Sequence, residues 1–196
     1  FTMSRDVTVA KDRHQEIFEK TVKLLDAGKS VAFLALGEVM LYATYEYIYE
    51  RLLLAGYKSE FVPGITSIQA IAAKLNIPIA IGSQQVHIYP DTNNIETKLN
   101  QSGTKVFMKP KGKMEKIISA IKTYEKKHDD VLVCGISNCD MEGEIIARNI
   151  SEIDKLNGYF TVIIVKDNGQ QDFDATYFET RECKFYPCHN GTENIH

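Results

Sequence analysis

The chain has 196 residues, enough for one large domain or two small ones with a real core. Hydrophobic residues make up 44% and charged residues 25%, and 23 Lys and Arg against 26 Asp and Glu leave a net charge of -3, which speaks against a general nucleic-acid-binding surface. No apolar run approaches the ~20 residues that span a bilayer, and four cysteines do not make a disulfide scaffold, so the expectation is a cytoplasmic, reduced protein with no nucleic-acid or membrane partner.

The sequence opens on phenylalanine, with no strand ahead of its first helix. Ile17, Phe18, Val22, Leu24 and Leu25 form an apolar stripe that predicts a helix ending near Gly28. Val31 to Leu36 is an apolar run short enough for a buried strand, and it stops at Gly37. After Glu38 the spacing turns helical through Leu41, Tyr45, Ile48, Leu52 and Leu53, with Gly56 placed for a left-handed cap. Lys58 to Val62 predicts a second strand and Pro63-Gly64 a turn. Ile68 to Leu75 then predicts a helix with the Thr66 and Ser67 hydroxyls at its start. Strand, turn and helix repeated in this way are the wiring of a parallel α/β sheet. Ligands of such sheets bind beyond the carboxyl ends of the strands, so the turns at Gly37 and Gly64 are expected to face one crevice.

Composition shifts after Ile81, where Gly82-Ser83-Gln84-Gln85 reads as a flexible inter-domain hinge. Beyond it the pattern predicts a strand at Val86 to Tyr89, a short helix at Asn94 to Gln101 and a strand at Thr104 to Met108. Lys113 to Lys127 follows as a helix, Val131 to Ile136 as a buried strand, Glu142 to Ile150 as a helix, and Tyr159 to Val165 as a β-branched strand. From Asp167 periodicity fades, and Tyr177-Phe178 with Lys184-Phe185-Tyr186 is read as an edge strand, a hairpin or a tail. The expected division is residues 1–81, 82–167 and 168–196.

Several stretches carry more than periodicity. LALGEVMLYATYEYIYERL, FVPGITSIQAIAAKLNIPIAIG, VFMKPKGKMEKII, SNCDMEGEIIARNI and YFTVIIVK occur in this order over roughly residues 1–166. Together they resemble the tetrapyrrole methylases, and within them the cobalt-precorrin-2 C20-methyltransferases. The resemblance implies a two-domain fold, a parallel α/β first domain followed by a mixed-sheet α/β second domain. It also implies S-adenosylmethionine as methyl donor, with S-adenosylhomocysteine as product, a tetrapyrrole substrate of cobalamin synthesis and a homodimer. Phe1-Thr2-Met3 resembles the family's Phe-Pro-Met segment in mid-domain. About three strands and a glycine-rich loop are therefore expected upstream, and the first domain reads as incomplete, a fragment or part of a longer polypeptide. A degenerate or truncated module that binds a tetrapyrrole or a partner chain without catalysis is the competing class.

The resemblance also assigns residues. Gly37-Glu38-Val39 stands where the family has Gly-Asp-Pro; Glu38 keeps the charge with one more methylene, Val39 loses the proline, and Ala43 replaces a serine. Gly37, Glu38, Leu41, Thr66, Ser67, Met108, Cys139 and Thr161 are the expected cofactor contacts, and Glu38 is also a candidate general base. Lys109 and Tyr42 complete the expected catalytic set, Lys109 as a cation for substrate carboxylates and Tyr42 as a substrate neighbour. Read without the resemblance, the Glu38 segment is a tight turn, Thr66-Ser67 a simple helix cap, Lys109 a solvated strand-end lysine and Thr161 an ordinary strand residue. Ser137-Asn138-Cys139-Asp140 departs from the family's Arg-Cys-Gly pattern. Tyr45, Tyr47 and Tyr49 read as packing or dimer-surface residues. No metal site is expected: Cys134 and Cys139 read as core and turn thiols, and Cys183, Cys188 and His189 lack paired close spacing.

Overall fold

The structure, a computed structural model, describes residues 7–91, 93–110, 112–128 and 130–167. The polar stretch 168–196, with its expected hairpin and its Cys183, Cys188 and His189, lies outside the described residues, as does Phe1-Thr2-Met3. No helix among the described residues is long and apolar enough to cross a membrane.

The second half of the chain is built on one mixed sheet. Strands β1 (Val86–Tyr89), β2 (Thr104–Met108), β3 (Val131–Ser137), β4 (Ile145–Ala147) and β5 (Thr161–Asp167) lie in the order β1-β2-β5-β3-β4. Only β1 and β2 run parallel, joined across helix α4 (Ile95–Leu99); the other pairs are antiparallel. Because successive side chains point to opposite faces, β2 sends Phe107 to one side and Val106 and Met108 to the other. The Phe107 face is sealed by α4, by α5 (Met114–Glu125) and by a 3-10 turn (Ile150–Lys155), through Leu99, Ile117, Ile121 and Ile153. The Met108 face, with Cys134, Ile136, Val162 and Ile164, is covered by helix α3 (Ser67–Leu75) through Ile68, Ile71 and Leu75.

The first half supplies α1 (Val7–Asp26), α2 (Glu46–Leu54) and α3. Gly56 follows α2 with φ +87 and closes the helix as expected, the amides of Gly56 and Tyr57 returning to the carbonyls of Leu53 and Leu52. Tyr45, Ile48 and Leu52 are buried against Phe18, Val22, Phe33 and Phe61.

Two expectations are corrected. Val31 to Leu36 and Lys58 to Val62 are extended but pair in no ladder among the described residues. Tyr57 to Val62 alternates as a strand requires, with Tyr57 and Phe61 turned into the α1–α2 core and Val62 (84% exposed) outward, whereas in Val31 to Leu36 Phe33 turns inward but Leu34 (96%), Ala35 and Leu36 (78%) are all exposed. A parallel strand is made by hydrogen-bonded neighbours, which its own sequence does not supply. Secondly, Glu142 to Ile150 is not a helix. Gly143 takes φ +75, the β-branched Ile145 and Ile146 pair with β3, and Asn149 caps the 3-10 turn by accepting from the Ser151 amide at 3.0 Å. The chain between α3 and β1 makes three bonds to the sheet. The Pro78 carbonyl accepts from Lys166 Nζ (2.8 Å), the Ile79 carbonyl from the Thr104 hydroxyl (2.6 Å) and the Asp167 carbonyl from the Gln84 amide (3.3 Å).

Lys105 carries a full charge into the α5 side of the sheet, where Asp167 meets it. Its fully buried ammonium lies 2.5 Å from Asp167 Oδ2, and the Tyr124 hydroxyl donates to Asp167 Oδ1 at 3.1 Å. Burial pulls the Lys105 amine below its ordinary range, opposed by Asp167, and pushes the Tyr124 phenol up to about 12. Removing one partner of such a pair strands the other charge, so Asp167→Ala should cost on the order of 3 kcal/mol in urea unfolding. A loss well under ~1 kcal/mol, the size of a surface pair, would mean that the ammonium reaches water.

Candidate functional site

The two turns after the extended segments meet through one side chain. Glu38 Oε2 accepts from the Gly64 amide at 2.7 Å and Oε1 from the Met40 amide at 2.8 Å. A Cβ on Gly64 would collide with the Gly37 carbonyl oxygen and lie 3.1 Å from its carbonyl carbon, so the two backbones touch only because residue 64 is glycine. The Gly64 amide, then that of Met40, holds the Glu38 carboxyl below its ordinary range. With both oxygens engaged and a lowered pKa, Glu38 is suited to pinning the turns together and poorly suited to taking a proton. The left-handed Tyr42 (φ +57) interrupts helical backbone after this turn, and α2 begins only at Glu46.

Helix α3 starts directly after the second turn. The Thr66 hydroxyl accepts from the Gln69 amide (3.1 Å) and the Gln69 side chain accepts from the Thr66 amide (3.1 Å), a complete capping box. Thr66 is thereby used locally, while Ser67, one residue on, is exposed. At the other end of α3, Lys74 forms ion pairs with Asp140 and with Glu144 (2.6 Å), fastening the helix to the turn after β3. Those carboxylates raise the Lys74 pKa well above its ordinary value. Cys139, Asp140 and Glu144 bring three potential ligand atoms close together, and the Lys74 ammonium already pairs with both carboxylates.

Between these fastenings, residues from both halves of the chain share one packed surface. Leu41 and Cys139 pack, partly buried, against the same cluster as Met108, which is 7% exposed. Burial first, then Asp140, raises the Cys139 thiol pKa. Lys109 follows Met108 with φ +52, and its amide makes the last β2 bond to the Thr161 carbonyl at 3.2 Å. Tyr42 (φ +57), Asn138 (φ +52) and Asp140 (φ +57) are also left-handed, a conformation that costs about 1–3 kcal/mol each and gathers where structure over-determines the backbone. The Lys109 ammonium sits 5.5 Å from the Tyr42 ring centre and 6.0 Å from that of Tyr159.

Thr161 lies behind this surface. It is 1% exposed, and its hydroxyl contacts the Asn157 carbonyl (2.6 Å), the Gly158 carbonyl (3.1 Å) and Ser137 Oγ (2.8 Å). It knits the 157–160 turn to β3 and β5. Gly37, Glu38, Leu41, Tyr42, Met108, Lys109 and Cys139 are thus drawn together, with Ser67 at the head of α3, whereas the Thr66 and Thr161 hydroxyls are spent within the protein. Tyr45 and Tyr49 are core residues against Phe61, and Tyr47 stacks on His14 at the surface. Sequence reasoning gave no role to Lys74 or Tyr159 and noted Ser137 only as part of a departure from the family pattern. Only Tyr159, an aromatic residue just ahead of a strand, carried a signal. A shallow groove of about 580 Å³ on the opposite face of the sheet is lined by Ser119, Lys122 and Asp154; Lys122 and Asp154 pair with each other there.

Comparison with known proteins places this geometry. The profile of the family described as Tetrapyrrole (Corrin/Porphyrin) Methylases matches residues 1–154. The chain belongs to the tetrapyrrole methylases. It is 32% identical over 170 residues to a probable cobalt-precorrin-2 C(20)-methyltransferase of Methanocaldococcus jannaschii, covering 85% of this chain and 70% of that protein. It is 30% identical over 172 residues to the cobalt-precorrin-2 C(20)-methyltransferase of Salmonella typhimurium, covering 84% and 70%. A cobalt precorrin-4 methyltransferase shares the fold with a TM-score of 0.64 at 18% identity, over 78% of this chain and 70% of that one. A uroporphyrin-III C-methyltransferase from Thermus thermophilus, solved with S-adenosylhomocysteine, does so at 0.57 and 16%, over 78% of this chain and 73% of that one. Diphthine synthase also superposes, at 0.53 and 12%, so within this methylase the fold alone does not name the substrate.

The touching turns give a direct prediction. Gly64→Ala should lower stability in denaturant unfolding by ~1–3 kcal/mol, the usual cost of overpacking, because its obstacle is backbone. A variant as stable as the parent would mean that the turns do not touch in solution.

Proposed function

We propose that this methylase transfers a methyl group from S-adenosylmethionine to C20 of precorrin-2, in its cobalt or metal-free form, in cobalamin synthesis. The observation that carries the reading is the joining of Leu41, Met108 and Cys139, from both halves of the chain, into one packed surface beside the Glu38-bridged turns. Its specific choice of substrate rests on the likeness to the two C(20)-methyltransferases.

The residues present fit such a donor. Leu41, Met108 and Cys139 would offer an apolar, polarisable wall for the adenosyl part of the donor, and the Gly37–Glu38 turn with the α3 start at Ser67 would offer backbone donors for its polar end. A sulfonium donor supplies an already electrophilic methyl group, so the protein's work is alignment and exclusion of water. In this reading Glu38 is a positioning residue that fixes both turns, Thr66 and Thr161 support from behind, and Tyr42 and Lys109 face the tetrapyrrole. The same reading places a division near Ile81, a cytoplasmic location, and a homodimer that covers outward apolar side chains such as Leu34, Leu36 and Val62.

A second reading keeps the binding and drops the chemistry. It is favoured by the engagement of both Glu38 oxygens and by the absence of any other carboxylate among the residues assigned to the cleft. Purified protein incubated with labelled S-adenosylmethionine and cobalt-precorrin-2 separates the two. The proposal expects S-adenosylhomocysteine and a tetrapyrrole one methyl heavier, while binding of both ligands without transfer would establish the non-catalytic module.

A further inference from the structure

Lys109 is held in an unusual way for a charge at a cleft. It belongs to no ion pair among the described residues, although Lys74, Lys98, Lys105, Lys122 and Lys155 all do. Its ammonium contacts two aromatic faces, Tyr42 from the first half of the chain and Tyr159 from the turn before β5. Lys109 and Tyr42 are both left-handed, and Lys109 also precedes Pro110, a position where compact backbone conformations are disfavoured. Two strained residues that meet through their side chains are thus maintained by their surroundings. Tyr159 is half-buried, and its ring packs edge-on against Phe160 at 5.2 Å, while its turn is locked by Thr161 and Ser137.

Ring faces attract an ammonium without neutralising it. A carboxylate neighbour would have quenched Lys109, whereas two tyrosines hold it in place and leave its charge for a ligand. We propose that Tyr159 is a positioning residue for substrate: with Tyr42 it forms a two-ring cradle that presents Lys109 to a peripheral carboxylate of a flat, polycarboxylated macrocycle. This rests on the tetrapyrrole reading above, and it adds a residue and a mode of recognition that the reading does not contain.

The test is a double-mutant cycle on Lys109→Ala and Tyr159→Leu, titrated by fluorescence quenching with uroporphyrin III, with Tyr159→Phe as the conservative variant. The exposed cation–ring contribution corresponds to about a two- to fivefold weakening of affinity for Tyr159→Leu. Tyr159→Phe should keep wild-type affinity, because the ring face remains. In the Lys109→Ala background Tyr159→Leu should add nothing, while S-adenosylhomocysteine affinity, measured by calorimetry, stays level throughout. A purely structural role would weaken both ligands and give additive losses, and either result overturns the inference. Wild-type protein that binds S-adenosylhomocysteine but no porphyrin would defeat the tetrapyrrole reading and the inference with it. Porphyrin binding that is indifferent to Tyr159 would defeat the inference alone.

Discussion

The carboxylate of Glu38 is the joint on which the candidate site depends. Two turns 26 residues apart in sequence are brought into contact because one side chain accepts an amide from each. A carboxylate can do this where an amide side chain does less well, since both its oxygens accept and neither end repels a donor. The contact also needs a glycine at residue 64, because the Gly37 carbonyl occupies the space that a side chain would take. Neither extended segment gains a ladder bond to the other, so this polar joint and the aromatic packing of Phe33, Tyr45 and Phe61 hold them in register.

A second constraint sets the other wall. The sheet of the second half is apolar on both faces, and α3 from the first half closes one of them. That burial fixes α3 against β5 and β3, and Lys74 with Asp140 and Glu144 prevents the helix from sliding along its axis. The linker bonds from Lys166, Thr104 and Gln84 act at the far end of the same face. With both ends fixed, the ends of β2 and β3 open toward the Glu38 turns. The left-handed residues Lys109, Asn138 and Asp140 lie there.

Most of the second half was legible because its strands are short β-branched or aromatic runs bounded by turn residues: Val86–Tyr89 and Thr104–Met108 are found at their expected limits. Glu142 to Ile150 misled because apolar spacing suited a helix, while Gly143 and the cap at Asn149 carried the stronger local signal. Val31 to Leu36 reads as a strand in composition, yet pairing is a property of neighbours. In the site, Gly37, Met108 and Lys109 followed from strand ends and from the resemblance. The Thr66 cap was legible, since Gln69 stands three residues on as a capping box requires, whereas the engagement of Thr161 with Ser137, 24 residues away, could not be read, because that partner depends on tertiary distance. Lys74 was invisible for the same reason, its acidic partners lying 66 and 70 residues away.

The pH response of the Gly64 and Met40 amide protons, followed by NMR, tests the joint most directly. Glu38 has a folded pKa below its unfolded value of about 4.3, so the joint is complete above that value and is lost as pH falls through the lowered folded pKa. The two resonances should therefore titrate together, with one shared midpoint below the ordinary glutamate range, and should lose that titration in Glu38→Gln. Separate midpoints, or a shared midpoint at or above the ordinary value, would show that the carboxylate does not bridge the turns.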